Sequence, residues 1–580
     1  MPIREELADR ATELAPAPPR RTPRPSLEGT VPWPDEFARR YVALGYWEGR
    51  PLGAHLYAAA EANPDAVAVV AGDVRLTYRE LTERADGAAI RLSALGLRAD
   101  DRIIMQLPNG WEFVVLTLAC LRLGVIPVMA LPAHRRHELS HLAAQSEARA
   151  IAVPDTGKDF DYQAMAHEIA GTSDTVSHVL VAGSDVRPDS VDLRALCEPA
   201  ADPAGARAHL DAHAPGSRSV AIFLLSGGTT GMPKLIARTH DDYAYSVKRC
   251  AEVSGFGPGT AYLAVLPMGH NFTLGGPGIL GTLINGGRVV IASSPSPAQA
   301  FPVIERERVT VAAVVPAVAQ RWMEAQESGT RHDIGSLEIL QVGGAKLADT
   351  LAERIAPALS CLVQQGYGMA EGLICIIRAD DPDEVKYGTQ GRPICPDDEL
   401  VVVDDQGESV GQDVPGVLLV RGPCVPRGYY RAPEHNARAF VKDGWYRTGD
   451  IVRLRPDGNL VVEGRDKDMI NCGGEKVSAE EVENLAYQVD GVGQVAAVAM
   501  PDPERGESVC LYVVPGAGKT VCLDDFLVTM ERIGVARFKM PKRVVLVDSL
   551  PVTNIGKINK KALRADIERR LRGDMNGQQW

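Results

Sequence analysis

The sequence predicts an α/β protein: a large N-terminal domain on parallel-type sheets, a small distorted β-barrel, and a small α+β domain at the C-terminus. Three observations predict it. From Leu56 onward, short β-branched runs alternate with helix-length segments, the pattern of parallel α/β sheets. Beyond Glu399 the strands crowd together between Asp/Gly turns, which suits a barrel. After Arg465 the pattern changes again, and a domain boundary is expected at 465–468.

Residues 1–32 carry the run Pro16-Ala-Pro-Pro-Arg-Arg21 and little apolar periodicity. They predict an extended arm over the main body, closed by Pro32-Trp-Pro34. The clearest strands of the large domain lie at 66–70, 102–106, 148–153, 179–181, 288–291 and 309–315. The longest apolar stretch, 113–132, is interrupted by Arg122 and Pro127. It reads as a buried helix running into a strand, not as a membrane span. Strands at 399–403, 416–420 and 460–463 belong to the barrel. In the last domain Ser478 and Glu481 have capping-box spacing, so a helix is expected to start there. Strands at 495–500, 509–514 and 543–547 follow, and no internal repeat is visible.

A chain of 580 residues is long enough for at least two domains with ample core. Hydrophobic content of 45% and charged content of 24% are ordinary for a globular protein. A net charge of −13 with no long Lys/Arg cluster argues against a nucleic-acid partner. The N-terminus is too polar for a secretory signal. Ten cysteines without a Cys-x-x-Cys pair argue against a disulfide framework or zinc ribbon, and a cytoplasmic location is expected.

The most informative segment is Ser226-Gly-Gly-Thr-Thr-Gly-Met-Pro-Lys234, preceded by the strand-like run Val220-Ala-Ile-Phe-Leu-Leu225. Glycines let a backbone turn its N–H groups inward, and hydroxyls add donors, so the loop suits a polyphosphate. Lys234 follows Met-Pro and precedes Leu235, so the loop lacks the Gly-Lys-Ser/Thr ending of a Walker A motif. For the loop alone, an ordinary Gly/Thr-rich turn is the rival reading. Downstream, in order, stand Gln365-Gly-Tyr-Gly-Met-Ala-Glu-Gly372, Tyr446-Arg-Thr-Gly-Asp450, Gly464-Arg-Asp-Lys-Asp468 and Pro551-Val-Thr-Asn-Ile-Gly-Lys557. With the loop they resemble the adenylate-forming superfamily of acyl-CoA synthetases, luciferases and peptide-synthetase adenylation domains. The resemblance runs from about Gly53 to about Leu563. Leu266-Pro-Met-Gly-His-Asn-Phe272 and Gly368-Met-Ala-Glu-Gly372 are similar to the stand-alone aryl-acid–AMP ligases, the salicylate and 2,3-dihydroxybenzoate type.

The resemblance implies two parallel-type α/β subdomains in the large domain and a mobile C-terminal lid. It implies that a salicylate-like acid, 2-hydroxy or 2-amino, is activated with ATP and Mg²⁺ to aryl-AMP and pyrophosphate. The acyl group would then pass to the phosphopantetheine thiol of a separate aryl or peptidyl carrier protein, in siderophore or peptide natural-product biosynthesis. An aryl-CoA ligase and a non-catalytic acyl-adenylate-binding protein are the rival readings; the second is disfavoured because Thr230, Glu371, Asp450 and Lys557 are all present.

An anionic carboxylate attacking an anionic phosphate needs cations and oriented donors. The resemblance assigns Ser226, Gly227, Gly228, Thr229, Thr230, Gly231 and Lys234 to the phosphates. It assigns Glu371 to Mg²⁺; Gly343, Gly344, Ala345, Tyr367 and Gly368 to adenine; and Asp450 and Arg465 to ribose or phosphate. A core tyrosine is the rival reading for Tyr367, and a solvated surface lysine for Lys557. In the family that lysine bridges the carboxylate and the α-phosphate. The hinge falls on Lys467, and Gly473 and Gly474 line the pantetheine path. Cys472 stands where most aryl relatives carry Arg, which puts a carrier contact there in doubt.

For the acid pocket the resemblance supplies His270 as gate residue, Asn271 as partner of an ortho hydroxyl, and Phe272, Gly275, Gly276, Gly344, Met369 and Ile374 as lining. A capped turn is the rival reading of His270-Asn271. Dihydroxybenzoate enzymes show Ser-Ser and salicylate enzymes Ala-Cys where this chain has Gly275-Gly276. The missing side chain at Gly276 leaves room near ring carbon 3, while Ile374 keeps the far wall bulky. The expected acids are methylsalicylate, hydroxyanthranilate, hydroxypicolinate and hydroxyquinaldate. His134-Arg-Arg-His137 lacks metalloprotease spacing and reads as a surface helix start.

Overall fold

The computed structural model describes residues 27–157, 160–226, 232–344, 346–347, 349–404, 406–465, 469–516, 518–551 and 560–577. By its contacts the chain forms two units. The first comprises Met1–Pro132, Leu142–Ser226 and Leu235–Glu463; the second comprises Ala133–His141, Gly227–Lys234 and Gly464–Trp580. The expected hinge at Lys467 and the arm up to residue 26 lie outside the described residues.

The first unit holds two large sheets. One has nine strands, with a parallel centre formed by Leu362–Gly368, Ile339–Val342, Val311–Val314, Ala261–Ala264, Arg288–Ile291 and Val67–Ala71. Antiparallel strands flank it: Val74–Thr77 at one edge, Ile374–Ile376 and Arg392–Pro393 at the other. The other sheet has seven strands, with Ile126–Met129 and Arg102–Met105 at its parallel centre. Their near-continuous apolar runs are what a strand covered on both faces requires. The expected barrel is a curled five-stranded antiparallel sheet of Glu399–Val403, Gly416–Arg421, Phe440–Val441, Trp445–Leu454 and Leu460–Arg465.

The apolar stretch from Phe113 becomes the helix Trp111–Leu123 and the central strand Ile126–Met129. Gly124, at φ 78°, ends the helix in a left-handed conformation that glycine adopts without strain. The helix is buried on every side, as expected for one packed inside the core. Its single cation is matched: Arg122 Nε donates to Asp86 Oδ1 at 3.0 Å and Nη2 to Asp211 Oδ1 at 2.7 Å. The Tyr57 hydroxyl also donates to Asp86, at 2.7 Å. Among the described residues no helix is long and apolar enough to cross a membrane.

The second unit is built on an antiparallel sheet of Met469–Cys472, Glu475–Ser478, Val492–Asp502 and Gly506–Pro515, with Arg543–Leu546 added in parallel. The helices Ala479–Ala486 and Leu523–Ile533 carry side chains of its apolar core. Within this unit the buried Lys539 ammonium donates to Glu138 Oε1 at 3.1 Å and to Glu481 Oε1 at 2.8 Å. The reading of 134–137 as a surface segment needs correction. His134 is buried, and burial pushes its imidazole down to about 4, so it stays neutral at physiological pH.

Candidate active site

The site grows from the edge of the nine-stranded sheet. Strand Leu362–Gly368 delivers Tyr367 and Gly368, then turns back into Ile374–Ile376, with Gly368 opposite Ile374. Gly372 N–H donates to the Met369 carbonyl at 3.0 Å and closes the turn. At φ 115° a Cβ on Gly372 would lie 1.8 Å from the Cys424 carbonyl oxygen, so only glycine fits. This tight passage fixes Glu371, which is buried. The Tyr429 hydroxyl donates to Glu371 Oε1 at 2.6 Å and lies 2.9 Å from the Tyr446 hydroxyl. Burial, and next the charge of Glu371, raise both phenols well above their usual range, so they remain protonated donors.

Tyr367 and Asp450 are brought together from different sheets. The Tyr367 hydroxyl donates to Asp450 Oδ2 at 2.6 Å. Asp450 sits in Trp445–Leu454, just after Gly449 at φ 75°, and its N–H donates to Thr448 Oγ1 at 3.0 Å. Arg238 ties the turn from behind. Fully buried and ion-paired with Asp242, it donates through Nη1 to the Ala370 carbonyl at 3.0 Å. The Arg238–Asp242 pair is an i,i+4 contact, and Thr239 with Asp242 forms a capping box that starts the helix His240–Val253.

His270 caps the short helix Asn271–Gly275, with Nδ1 accepting from Phe272 N–H at 3.3 Å. The Phe272 ring packs on Gly343, where an added Cβ would come within 3.1 Å of it. Gly344 follows at φ 82°. The two pocket glycines differ. A Cβ on Gly275 would lie 2.4 Å from the Tyr243 hydroxyl, whereas a Cβ on Gly276 meets nothing closer than 3.5 Å. A Cβ on Gly276 would thus fit in ordinary van der Waals contact, where one on Gly275 would collide. Ile374 is buried with Cys250, Ile376 and Ile394, and Met369 is buried beside the turn.

Gly227, Gly228, Thr229, Thr230, Gly231, Ala345, Lys467 and Lys557 lie outside the described residues, as does the side chain of Arg465. Ser226 ends the strand Val220–Ser226, and Lys234 is buried at the start of Lys234–Thr239. In the second unit Gly473 and Gly474, at φ 66° and 94°, form the turn between Cys472 and Glu475. Gly473 N–H donates to the Arg505 carbonyl at 2.8 Å. Cys472 is a core side chain whose thiol burial pushes up to about 12. Among ten cysteines only Cys522 is exposed. Maleimide at neutral pH is therefore expected to label Cys522 and spare Cys472 in the folded protein, read by peptide mass spectrometry. Labelling at Cys472 would contradict its burial.

Arg238, Tyr243, Tyr429 and Tyr446 were not among the residues singled out from sequence for the site. Two local signals existed: the i,i+4 spacing of Arg238 and Asp242, and the place of Tyr446 at the head of the motif ending in Asp450.

Mg²⁺ fits the donor set. Glu371 offers a hard carboxylate oxygen, its other oxygen being held by a phenol, and such ions often take one or two carboxylates plus substrate phosphates. Among the described residues no cluster of three or more His, Cys, Asp or Glu could hold a metal ion by itself.

Parallel α/β sheets whose edge hairpin carries Tyr367 and Glu371, with an antiparallel sheet bringing Asp450 to that hairpin, define an adenylate-forming ligase. The chain belongs to the AMP-binding enzyme family: that family matches residues 56–430, and its C-terminal domain matches residues 481–557. Its relatives place it among the aryl-acid ligases. It is 58% identical to the 2-hydroxy-7-methoxy-5-methyl-1-naphthoate–CoA ligase of Streptomyces carzinostaticus, over 93% of this chain and 97% of that protein. It is also 58% identical to a salicylyl-CoA synthase/salicylate adenylyltransferase of a Streptomyces species, again over 93% and 97%. Identity to the salicyl-AMP ligase/salicyl-S-ArCP synthetase of Mycobacterium tuberculosis is 45%, over 94% and 95%. Among solved structures, apo MbtA of Mycobacterium smegmatis aligns with a TM-score of 0.70 and 41% identity, over 93% of this chain and 98% of that one.

Proposed function

We propose that the protein activates a 2-hydroxy aromatic acid with an enlarged ring to its aryl-adenylate and passes the acyl group to a pantetheine thiol. The observation that carries the nucleotide part is the convergence of Tyr367, Asp450 and the glycine-pinned turn bearing Glu371. In the first step a carboxylate oxygen attacks the α-phosphorus and the bond to the β-phosphate oxygen breaks, releasing pyrophosphate. Asp450 would accept from the ribose hydroxyls, with Tyr367 holding one of its oxygens. Glu371 would hold Mg²⁺, which offsets negative charge on the phosphate oxygens when bound. Lys557 would supply the cation between carboxylate and α-phosphate. In the second step the thiol sulfur attacks the acyl carbon, AMP leaves, and the thiol proton is lost. A hinge at Lys467 and a channel along Gly473 and Gly474 would serve that step.

The missing side chain at Gly276, a position where a Cβ would fit without a clash, supports a ring larger than dihydroxybenzoate. For the acceptor we put CoA first, because both relatives at 58% identity carry CoA in their names. Transfer to an aryl carrier protein is the second reading, favoured by the ArCP synthetase at 45%.

Pyrophosphate exchange with salicylate, 2,3-dihydroxybenzoate, 3-methylsalicylate and 1-hydroxy-2-naphthoate, the last two carrying their added carbon at ring carbon 3, tests the substrate. A bulkier acid is expected to exceed 2,3-dihydroxybenzoate, and Gly276→Ser is expected to reverse that order by narrowing the pocket. Dihydroxybenzoate ahead of every bulkier acid in the parent protein would rule the reading out. Offering CoA and a holo carrier protein side by side decides the acceptor.

A further inference from the structure

We infer that Tyr243 sets the polarity of the acid pocket, so that the enzyme accepts an ortho oxygen and rejects an ortho amino group. The inference rests on the aryl-acid reading above and narrows its substrate class. The Tyr243 hydroxyl donates to Asn271 Oδ1 at 2.8 Å and has no other hydrogen-bond partner among the described residues. The phenol is buried, and burial raises it above its usual range, so it keeps its proton. That proton must find an acceptor.

Only one orientation of the Asn271 amide provides it. Turned the other way, the amide would offer N–H to the phenol oxygen and leave the buried O–H without an acceptor, a costly arrangement. The carbonyl oxygen therefore faces Tyr243, and the NH₂ group is left with no protein partner among the described residues. Asn271 is half-buried, and its backbone carbonyl oxygen lies 3.6 Å from where a Cβ on Gly276 would sit, which puts it beside that wall of the proposed acid pocket. Gly275 makes the contact attainable, because a side chain there would collide with the Tyr243 hydroxyl. Arg238, whose guanidinium lies 4.9 Å from the Tyr243 ring centre, braces the ring.

The pocket thus presents a fixed donor. In a 2-hydroxy acid the phenol proton turns toward the molecule's own carboxylate, and the oxygen's outer lone pair accepts from Asn271. In a 2-amino acid one N–H takes the carboxylate and the other points outward, donor against donor. Its lone pair is delocalised into the ring and accepts poorly. Benzoate leaves the amide unpaired.

Pyrophosphate exchange with salicylate, anthranilate and benzoate, each with ATP and Mg²⁺, tests this. The parent protein is expected to favour salicylate over anthranilate by about tenfold or more. Tyr243→Phe frees the amide to turn, and the ratio should fall toward unity, chiefly by a gain on anthranilate. A structural defect would lower both acids together. Asn271→Asp keeps an acceptor for Tyr243 and presents a second one to the ligand, so it should shift preference toward anthranilate even if Tyr243→Phe fails to fold. A parent ratio near one, an unchanged ratio in Tyr243→Phe, or an unchanged preference in Asn271→Asp overturns the inference while leaving aryl-acid activation standing. Exchange with no aromatic acid at all overturns the activation reading itself, and this inference with it.

Discussion

Lys557→Ala is expected to cut pyrophosphate exchange by about 10³-fold, while thioester formation from a preformed aryl-adenylate stays within about threefold of the parent. The asymmetry follows from charge. Adenylation brings a carboxylate against a phosphate, and in the proposed role the Lys557 ammonium would offset their repulsion as the two groups close. In thiol attack on the adenylate that charge conflict has passed, since AMP leaves carrying the negative charge. Pyrophosphate exchange and single-turnover transfer from synthetic aryl-AMP separate the two steps. Equal loss of both would remove Lys557 from the proposed role.

Glu371→Gln should lower adenylation by about 10²-fold at limiting magnesium, with partial recovery as magnesium is raised. Glutamine keeps an oxygen to accept from Tyr429, so the buried hydrogen bond at 2.6 Å survives in kind. What is lost is the negative charge that attracts the cation. The melting temperature without nucleotide is therefore expected to stay within a few degrees of the parent. An unchanged magnesium dependence would show that Glu371 does not hold the ion. A collapse of stability would show that its carboxylate serves the fold instead.

Much of the fold could be read from the chain. Arg288–Ile291 and Glu399–Val403 were expected at the bounds observed, and other strands differ at one or both ends by one or more residues. Arg288–Ile291 is legible because a parallel strand covered on both faces must be largely apolar, and Glu399–Val403 because a β-branched run stands between Asp/Gly turns. The apolar stretch 113–132 was equally plain as a buried helix running into a strand, although the stop at Gly124 came only with the structure. Burial of single polar side chains was not legible. His134, lacking metalloprotease spacing, reads as surface, yet it lies buried in a unit assembled with the C-terminal segment. Cys472 gave no sign that it belongs to an apolar core.

The candidate site divides in the same way. By itself the sequence determined the class, an adenylate-forming aryl-acid ligase, through motifs whose residue types and order are visible along the chain. Only the tertiary structure decided how Glu371, Asp450 and Asn271 are held. Tyr243 meets Asn271 across 28 residues, Tyr429 meets Glu371 across 58, and Arg238 reaches Ala370 across 132. The reason is physical. A motif records which atoms a reaction needs, but the orientation of an amide or carboxylate is set by whichever buried donor has nowhere else to give its proton, and that donor comes from another part of the chain.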